Sequence, residues 1–144
     1  MKTKITVETI VKVPVQKAWE VWTKPHHIIN WNFASADWHC PKAENDLQVG
    51  GKYTWTMAAK DGSMSFDFGG TYTKVELHKK IESILEDLRT VQVEFINQGI
   101  ETLVIETFEA EDQNPIDMQR MGWQAILNNY KTYAESFGID KTTT

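Results

Sequence analysis

The stretch GWQAILNNYKTYAESFG, residues 122–138, carries the most regular pattern in the chain. Trp123, Ile126, Leu127, Tyr130, Tyr133, Ala134 and Phe137 recur at helical spacing, with Gln124, Asn128, Lys131 and Glu135 on the opposite side. Apolar residues spaced three and four apart line one face of a helix, so the spacing predicts an amphipathic helix over 118–137. Gly138 is expected to stop it, because glycine commonly follows the last helical residue. A helix with one apolar stripe must bury that stripe against another layer.

The preceding residues supply that layer. Residues 89–97 alternate, with Val91, Val93 and Phe95 on one face, and Asn97-Gln98-Gly99-Ile100 reads as a hairpin turn. In the following strand, 101–109, Leu103 and Ile105 are assigned inward, with Val104 and Phe108 on the other side or beyond a register change after Ile105, where both faces are apolar. Further upstream, Tyr53, Trp55 and Met57 share one face of a strand. Lys60-Asp61-Gly62-Ser63 turns the chain, and Met64, Phe66, Phe68, Gly70 and Tyr72 line the return strand. Gly69-Gly70 reads as a bulge or bend that helps the sheet curl. Another strand covers 81–86. The first, 3–13, places Ile5, Val7, Thr9, Val11 and Val13 on one face and is expected to pair with the last. Pro14 introduces a short helix, 15–23, and Pro25 starts a second through about Trp31. Residues 32–50 read as irregular, with Trp38 and Val49 tucked inward. The expected fold is α+β: a curved antiparallel sheet of six to seven strands and two short N-terminal helices, wrapped around one long C-terminal helix. Residues 1–140 are taken as a single domain and 141–144 as a disordered tail.

Composition bounds the function. The 144 residues carry a net charge of -5, which disfavours nucleic acid and anionic membranes as partners. No stretch approaches the roughly 18 apolar residues of a membrane span, and the N-terminus lacks a signal-peptide pattern. A lone cysteine, Cys40, excludes an internal disulfide, and the expected location is cytoplasmic. Six tryptophans are many for a chain of this length, which suits either a dense aromatic core or an aromatic-lined pocket.

Four segments, in order, resemble one family. Val11-Lys12-Val13-Pro14-Val15-Gln16-Lys17-Ala18-Trp19-Glu20-Val21-Trp22 looks like the strand-to-helix opening of START-like (SRPBCC, helix-grip) domains. Asp46-Leu47-Gln48-Val49-Gly50-Gly51-Lys52-Tyr53 is similar to a D-x-R-V-G-G-x-F/Y segment of one branch, and Gly70-Thr71-Tyr72-Thr73-Lys74-Val75 to its G-x-Y-x-x-V strand. Gly122-Trp123-Gln124-Ala125-Ile126-Leu127-Asn128-Asn129-Tyr130 resembles its G-W-x-x-x-L-x-x-L helix. That branch comprises homologues of the C-terminal domain of the heat-shock-protein-90 ATPase activator. The resemblance implies a helix-grip fold with a cavity between sheet and long helix, where the wider superfamily binds lipids, sterols, polyketides and plant hormones. It implies no shared catalytic residues, and fold alone does not decide function. The candidate cavity residues are Trp22, Trp31, Trp38, Trp55, Met57, Phe66, Phe68, Tyr72, Val93, Trp123, Ile126, Leu127 and Tyr130.

Other chemistry is thin. His26, His27, His39 and His78 lack metal-ligand spacing, so no metal and no cofactor is expected. His39 and Cys40 are adjacent on an extended segment and point apart, which makes His39 a poor base for the thiol. Asp37, Asp67 and Glu106 are the acids near inner surfaces; a carboxyl buried among aromatics would titrate late and could act as an acid. Strand period turns Asp67 outward and leaves Glu106 open. The reading ranked first is a small-molecule binding domain holding a hydrophobic or amphipathic ligand. An enzyme acting on a hydrophobic substrate, a cyclase or hydrolase, ranks second, and a chaperone-associated interaction module third. An apolar outer face at Ile10 and Val104 leaves a homodimer open.

Overall fold

A computed structural model describes residues 3–142, with side chains described through Phe137. The elements are β1 (Lys4–Val11), α1 (Val15–Thr23), α2 (Pro25–Ile28), β2 (Trp38–Asn45), β3 (Lys52–Ala59), β4 (Ser65–Glu76), β5 (Lys80–Leu85), β6 (Thr90–Asn97), β7 (Thr102–Glu109) and α3 (Ile116–Thr142). The strands form one curled antiparallel sheet in the order β1-β7-β6-β5-β4-β3-β2. This is the helix-grip α+β fold, with β1 paired to β7 from Lys4↔Glu109 to Val11↔Thr102.

The stripe on α3 is buried as its spacing requires. Leu127, Tyr130 and Ala134 are fully buried, flanked by half-buried Trp123, Ile126, Tyr133 and Phe137. Tyr130 Oη donates to the carbonyl of Ala18 on α1 (2.7 Å), tying the long helix to the short one. The polar side of α3 does more than face water. Gln124 Nε2 donates to Glu8 O (3.3 Å), Lys131 Nζ to Ile10 O (2.6 Å), and Lys12 N donates to Glu135 Oε2 (2.9 Å). The free edge of β1 is therefore occupied by helix side chains, one way a sheet edge is kept from pairing with another chain. Gln119 pins the helix entrance: its amide group bonds Glu111 N (3.0 Å), Glu111 O (3.0 Å) and Asn114 O (2.8 Å).

Several expectations are corrected. In β7 the inward residues are Thr102, Val104, Glu106 and Phe108, while Leu103 and Ile105 are only half-buried on the other face. The reason is the register from β6, which sets inward Phe95 opposite Val104 and inward Val93 opposite Glu106. Val104 is thus fully buried and contributes nothing to an outer face; Ile10, Leu103 and Ile96 lie in register there instead. The supposedly irregular segment contains edge strand β2, whose pairing to β3 shifts between His39 and Lys42, around Pro41. Val49 is 66% exposed in the turn before β3. Gly138 does not stop α3, which continues to Thr142; Thr143 and Thr144 of the expected tail lie outside the described residues.

Gly69-Gly70 is no bulge, because the β3–β4 register runs unbroken through both. The irregularity in β4 falls between Tyr72 and Lys74. The two glycines answer to close approach instead. A Cβ at Gly70 would stand 2.7 Å from Ile84 O and 2.9 Å from Tyr53 Oη. We expect Gly70→Ala to destabilise the protein by about 1–3 kcal/mol, the usual range for overpacking. Urea denaturation checks this, and an unchanged midpoint would refute the crowding.

Candidate functional site

Between the concave face of the sheet and α3 lies a cleft of about 270 Å³. Its walls are Trp22 of α1; Trp31 and Asn32 after α2; Trp55 and Met57 of β3; Phe66 and Phe68 of β4; Glu106 of β7; and Trp123 and Ile126 of α3. A smaller space of about 60 Å³ shares Trp22, Trp55, Phe68, Glu106 and Trp123 and adds Tyr53, Tyr72, Ile81, Ser83, Val91 and Val93. Glu106 thus stands at the junction of the two. Phe66, 50% exposed, forms part of the rim and packs on Trp38 (centroids 5.9 Å apart).

Second aromatics hold the walls in place. Trp22 meets Trp31 (5.1 Å) and Tyr130 (4.9 Å), and the Trp31 indole N–H donates to Val21 O (3.0 Å). Trp123 stacks on Phe108 at 3.8 Å, two residues along β7 from Glu106, and meets Phe68 edge-on. Tyr53 lies 4.9 Å from both Trp55 and Tyr72, with its hydroxyl on Ser83 Oγ (2.9 Å). The Tyr72 hydroxyl donates to Asn45 Oδ1. Rings locked from behind leave faces free in front, so the space stays open rather than collapsing onto its own side chains.

The thirteen candidate cavity residues divide. Trp22, Trp31, Trp55, Met57, Phe66, Phe68, Trp123 and Ile126 line the larger space, and Tyr72 and Val93 the smaller. Trp38, Leu127 and Tyr130 line neither. Trp38 sits on the edge strand against Phe66, whereas Leu127 and Tyr130 are fully buried in the packing of α3. Asn32, Tyr53, Ile81, Ser83 and Val91 line these spaces but were not among the candidates.

Glu106 is the unusual member. It is 92% buried, being 8% exposed, and among the described residues its carboxyl has no hydrogen bond and no cation beside it. Burial alone pushes its pKa up to about 8. Its oxygens are not sealed away, since every sealed side-chain polar atom has a partner; they open onto the cleft. The buried Asn32 likewise bonds through its backbone N–H, to Ile28 O (3.0 Å), while its side-chain amide has no hydrogen bond. Tyr53 is pushed up to about 12, first by burial and then by the charge of Glu106, and Tyr72 still higher by burial.

The remaining sequence candidates lie elsewhere. Asp37 is exposed, and Asp67 is exposed and accepts a hydrogen bond from Thr56 Oγ1 (2.8 Å). Cys40 is buried, with its thiol donating to Lys42 O (3.4 Å), and burial raises its pKa. His27 bridges Tyr133 Oη (2.8 Å) and Glu20 Oε2 (3.2 Å), a link between α1, α2 and α3 outside the cleft; burial lowers its pKa. No cluster of three or more metal-ligating side chains occurs among the described residues.

Comparison with known proteins places this geometry. The sequence profile of the family described as "Activator of Hsp90 ATPase homolog 1-like protein" matches residues 12–135. An AHSA1-like protein from Aeromonas hydrophila, solved in solution, is 42% identical over 94% of each chain, with a TM-score of 0.88. A Cytophaga hutchinsonii protein is 50% identical over 92% of each chain, with a TM-score of 0.80. A Nitrosomonas europaea protein shares the fold alone, at 15% identity and a TM-score of 0.79 over 94% of this chain and 96% of that one. The curated proteins give no match. With the helix-grip architecture and a family match across most of its length, the chain belongs to the Activator of Hsp90 ATPase homolog 1-like family of the START-like superfamily.

Proposed function

We propose that this protein binds a hydrophobic or amphipathic small molecule in the cleft between the sheet and α3. The observation that carries the reading is an open space of about 270 Å³ walled by Trp22, Trp31, Trp55 and Trp123, four of the six tryptophans in the chain. Large apolar surface left facing a void gains by contact with an apolar guest. The common use of this fold for hydrophobic ligands supports the same reading. The half-exposed Phe66 at the rim offers an entry point, and no helix among the described residues is long and apolar enough to cross a membrane.

One observation keeps a catalytic reading in second place: Glu106, a carboxyl that holds its proton near neutrality, inside an apolar cleft. It is the only lining residue titrating near neutrality, since Tyr53 and Tyr72 lose their protons far higher. A hydrolase or cyclase working from one group would have no second acid or base in the cleft, so binding ranks first. The chaperone-associated reading follows from the family's description, whereas the cleft is what supports ours.

The test is direct because the walls fluoresce. Titrating a panel of fatty acids, sterols and flat aromatic compounds is expected to quench tryptophan emission saturably and to give one-to-one adducts in native mass spectrometry. A panel-wide absence of both signals would refute the proposal.

A further inference from the structure

We propose that the cleft selects a ligand whose apolar body carries an ammonium group, seated against the Glu106 carboxylate between tryptophan faces. The inference rests on the cleft-binding reading above and names the ligand's chemistry.

Three observations converge. The carboxyl of Glu106 is nine-tenths buried, opens onto the cleft and has no protein partner. Ionising a buried carboxyl without a partner is unfavourable, and a cation seated against it offsets that cost. No lysine, arginine or histidine lines either space, so the completing cation is not supplied from the walls. The walls themselves are suited to a cation. The face of an indole ring is electron-rich and attracts ammonium groups, most strongly where water is excluded. Finally, the chain carries a net charge of -5, a background field that favours positive ligands over negative ones. The side-chain amide of Asn32, also without a partner, offers an acceptor for one further ammonium hydrogen.

An anion is disfavoured, because neither space offers a lysine, arginine or histidine to pair with it and the chain is net negative. A neutral alcohol could donate one hydrogen bond to Glu106 but would leave the indole faces without a cation. Among the residues lining the two spaces, the titratable groups besides Glu106 are Tyr53 and Tyr72. Both keep their protons through neutral pH, so the pH response of ligand binding belongs to Glu106.

Matched probes test this by isothermal titration calorimetry: phenethylamine, phenethyl alcohol and phenylacetate. At neutral pH the amine is expected to bind about tenfold or more tightly than the alcohol, with phenylacetate weakest. In Glu106→Gln the ratio of amine to alcohol affinity falls to near one, and Glu106→Asp restores part of it. Circular dichroism confirms that both variants are folded. Benzyltrimethylammonium, which has no proton to lose, isolates the protein's side. Its affinity should rise by up to about tenfold per pH unit between pH 6 and pH 8, where binding must first expel the Glu106 proton, and level off above about 8. If the alcohol matches the amine, or the ratio survives in Glu106→Gln, the proposal fails and the cleft reading stands. If these probes fail but the lipid and aromatic panel binds, the outcome is the same. If neither set binds, both readings fall.

Discussion

Glu106→Gln should melt well above the parent protein at pH 8, and the gap should close towards pH 5. Glutamine reproduces the neutral acid, so the comparison isolates the cost of ionising a buried carboxyl. The folded-state pKa is about 8 against an ordinary value of 4.5. Between those values the folded protein holds a proton that the unfolded chain has released. Stability of the parent therefore falls as pH rises through this window, by about 1.4 kcal/mol per unit at most, and is level above about 8. Across the whole window this amounts to about 4–5 kcal/mol, or roughly 10–15 °C in Tm for a chain of this size. Other groups titrate in the same range, but they are common to both proteins and cancel in the difference. Thermal melts at half-unit steps of pH make the measurement. Parallel curves for parent and variant would show that the carboxyl is hydrated or paired, and would remove the basis for assigning it a ligand.

Tyr130→Ala should cost about 3–5 kcal/mol, the range for deleting a fully buried aromatic ring. The ring is the wedge behind two cleft walls, lying 4.9 Å from Trp22 and 5.1 Å from Trp31, and its hydroxyl anchors α3 to Ala18 O. Removing it leaves a void that Trp22 and Trp31 can fall into, so ligand-induced quenching should weaken together with stability. Tyr130→Phe separates the two contributions: it keeps the wedge, loses one hydrogen bond and should cost only about 1 kcal/mol. Urea denaturation of both variants checks the split. Equal losses would assign the effect to the hydroxyl rather than to the ring.

What could be read from the sequence follows the strength of each local signal. The α3 stripe was legible because seven apolar residues keep one period over four turns, and the turns at Gly62 and Gly99 because both glycines adopt the left-handed backbone those turns favour. β2 was hidden. As an edge strand it buries only Cys40, carries Pro41 and breaks its register there, so neither alternation nor β-branched content marked it. β7 was misread for a more informative reason. Hydrophobicity favours Leu103 and Ile105 as the inner pair, because the alternative turns an acid inward. Yet a usable signal existed. The hairpin closed by Gln98 N and Glu101 O places Val93 opposite Glu106, and directly opposed residues in an antiparallel pair share a face. Trusting the turn over the apolar count would have put Glu106 in the cleft. The one strand whose pattern conflicts with its orientation is also the strand carrying the candidate binding group. Leu127 and Tyr130 were overassigned because a helical stripe does not reveal where along its length packing ends and open space begins.

The pairing of β1 with β7 has a consequence for how the chain assembles. Strands β2 to β7 form a meander in which each joins its sequence neighbour, so those hydrogen bonds close short loops. The first strand is different: among the described residues its strand partner is the last one, with Lys4 opposite Glu109. On the ribosome Lys4–Val11 emerges before any of the others, yet it cannot enter the sheet until Thr102–Glu109 has followed. Throughout that interval its apolar side chains, Ile5, Val7 and Val11, lack the surface that later buries them. Among the strand pairings, the one that closes the grip is therefore also the one with the largest loop-closure entropy, and β1 is left waiting for the last strand.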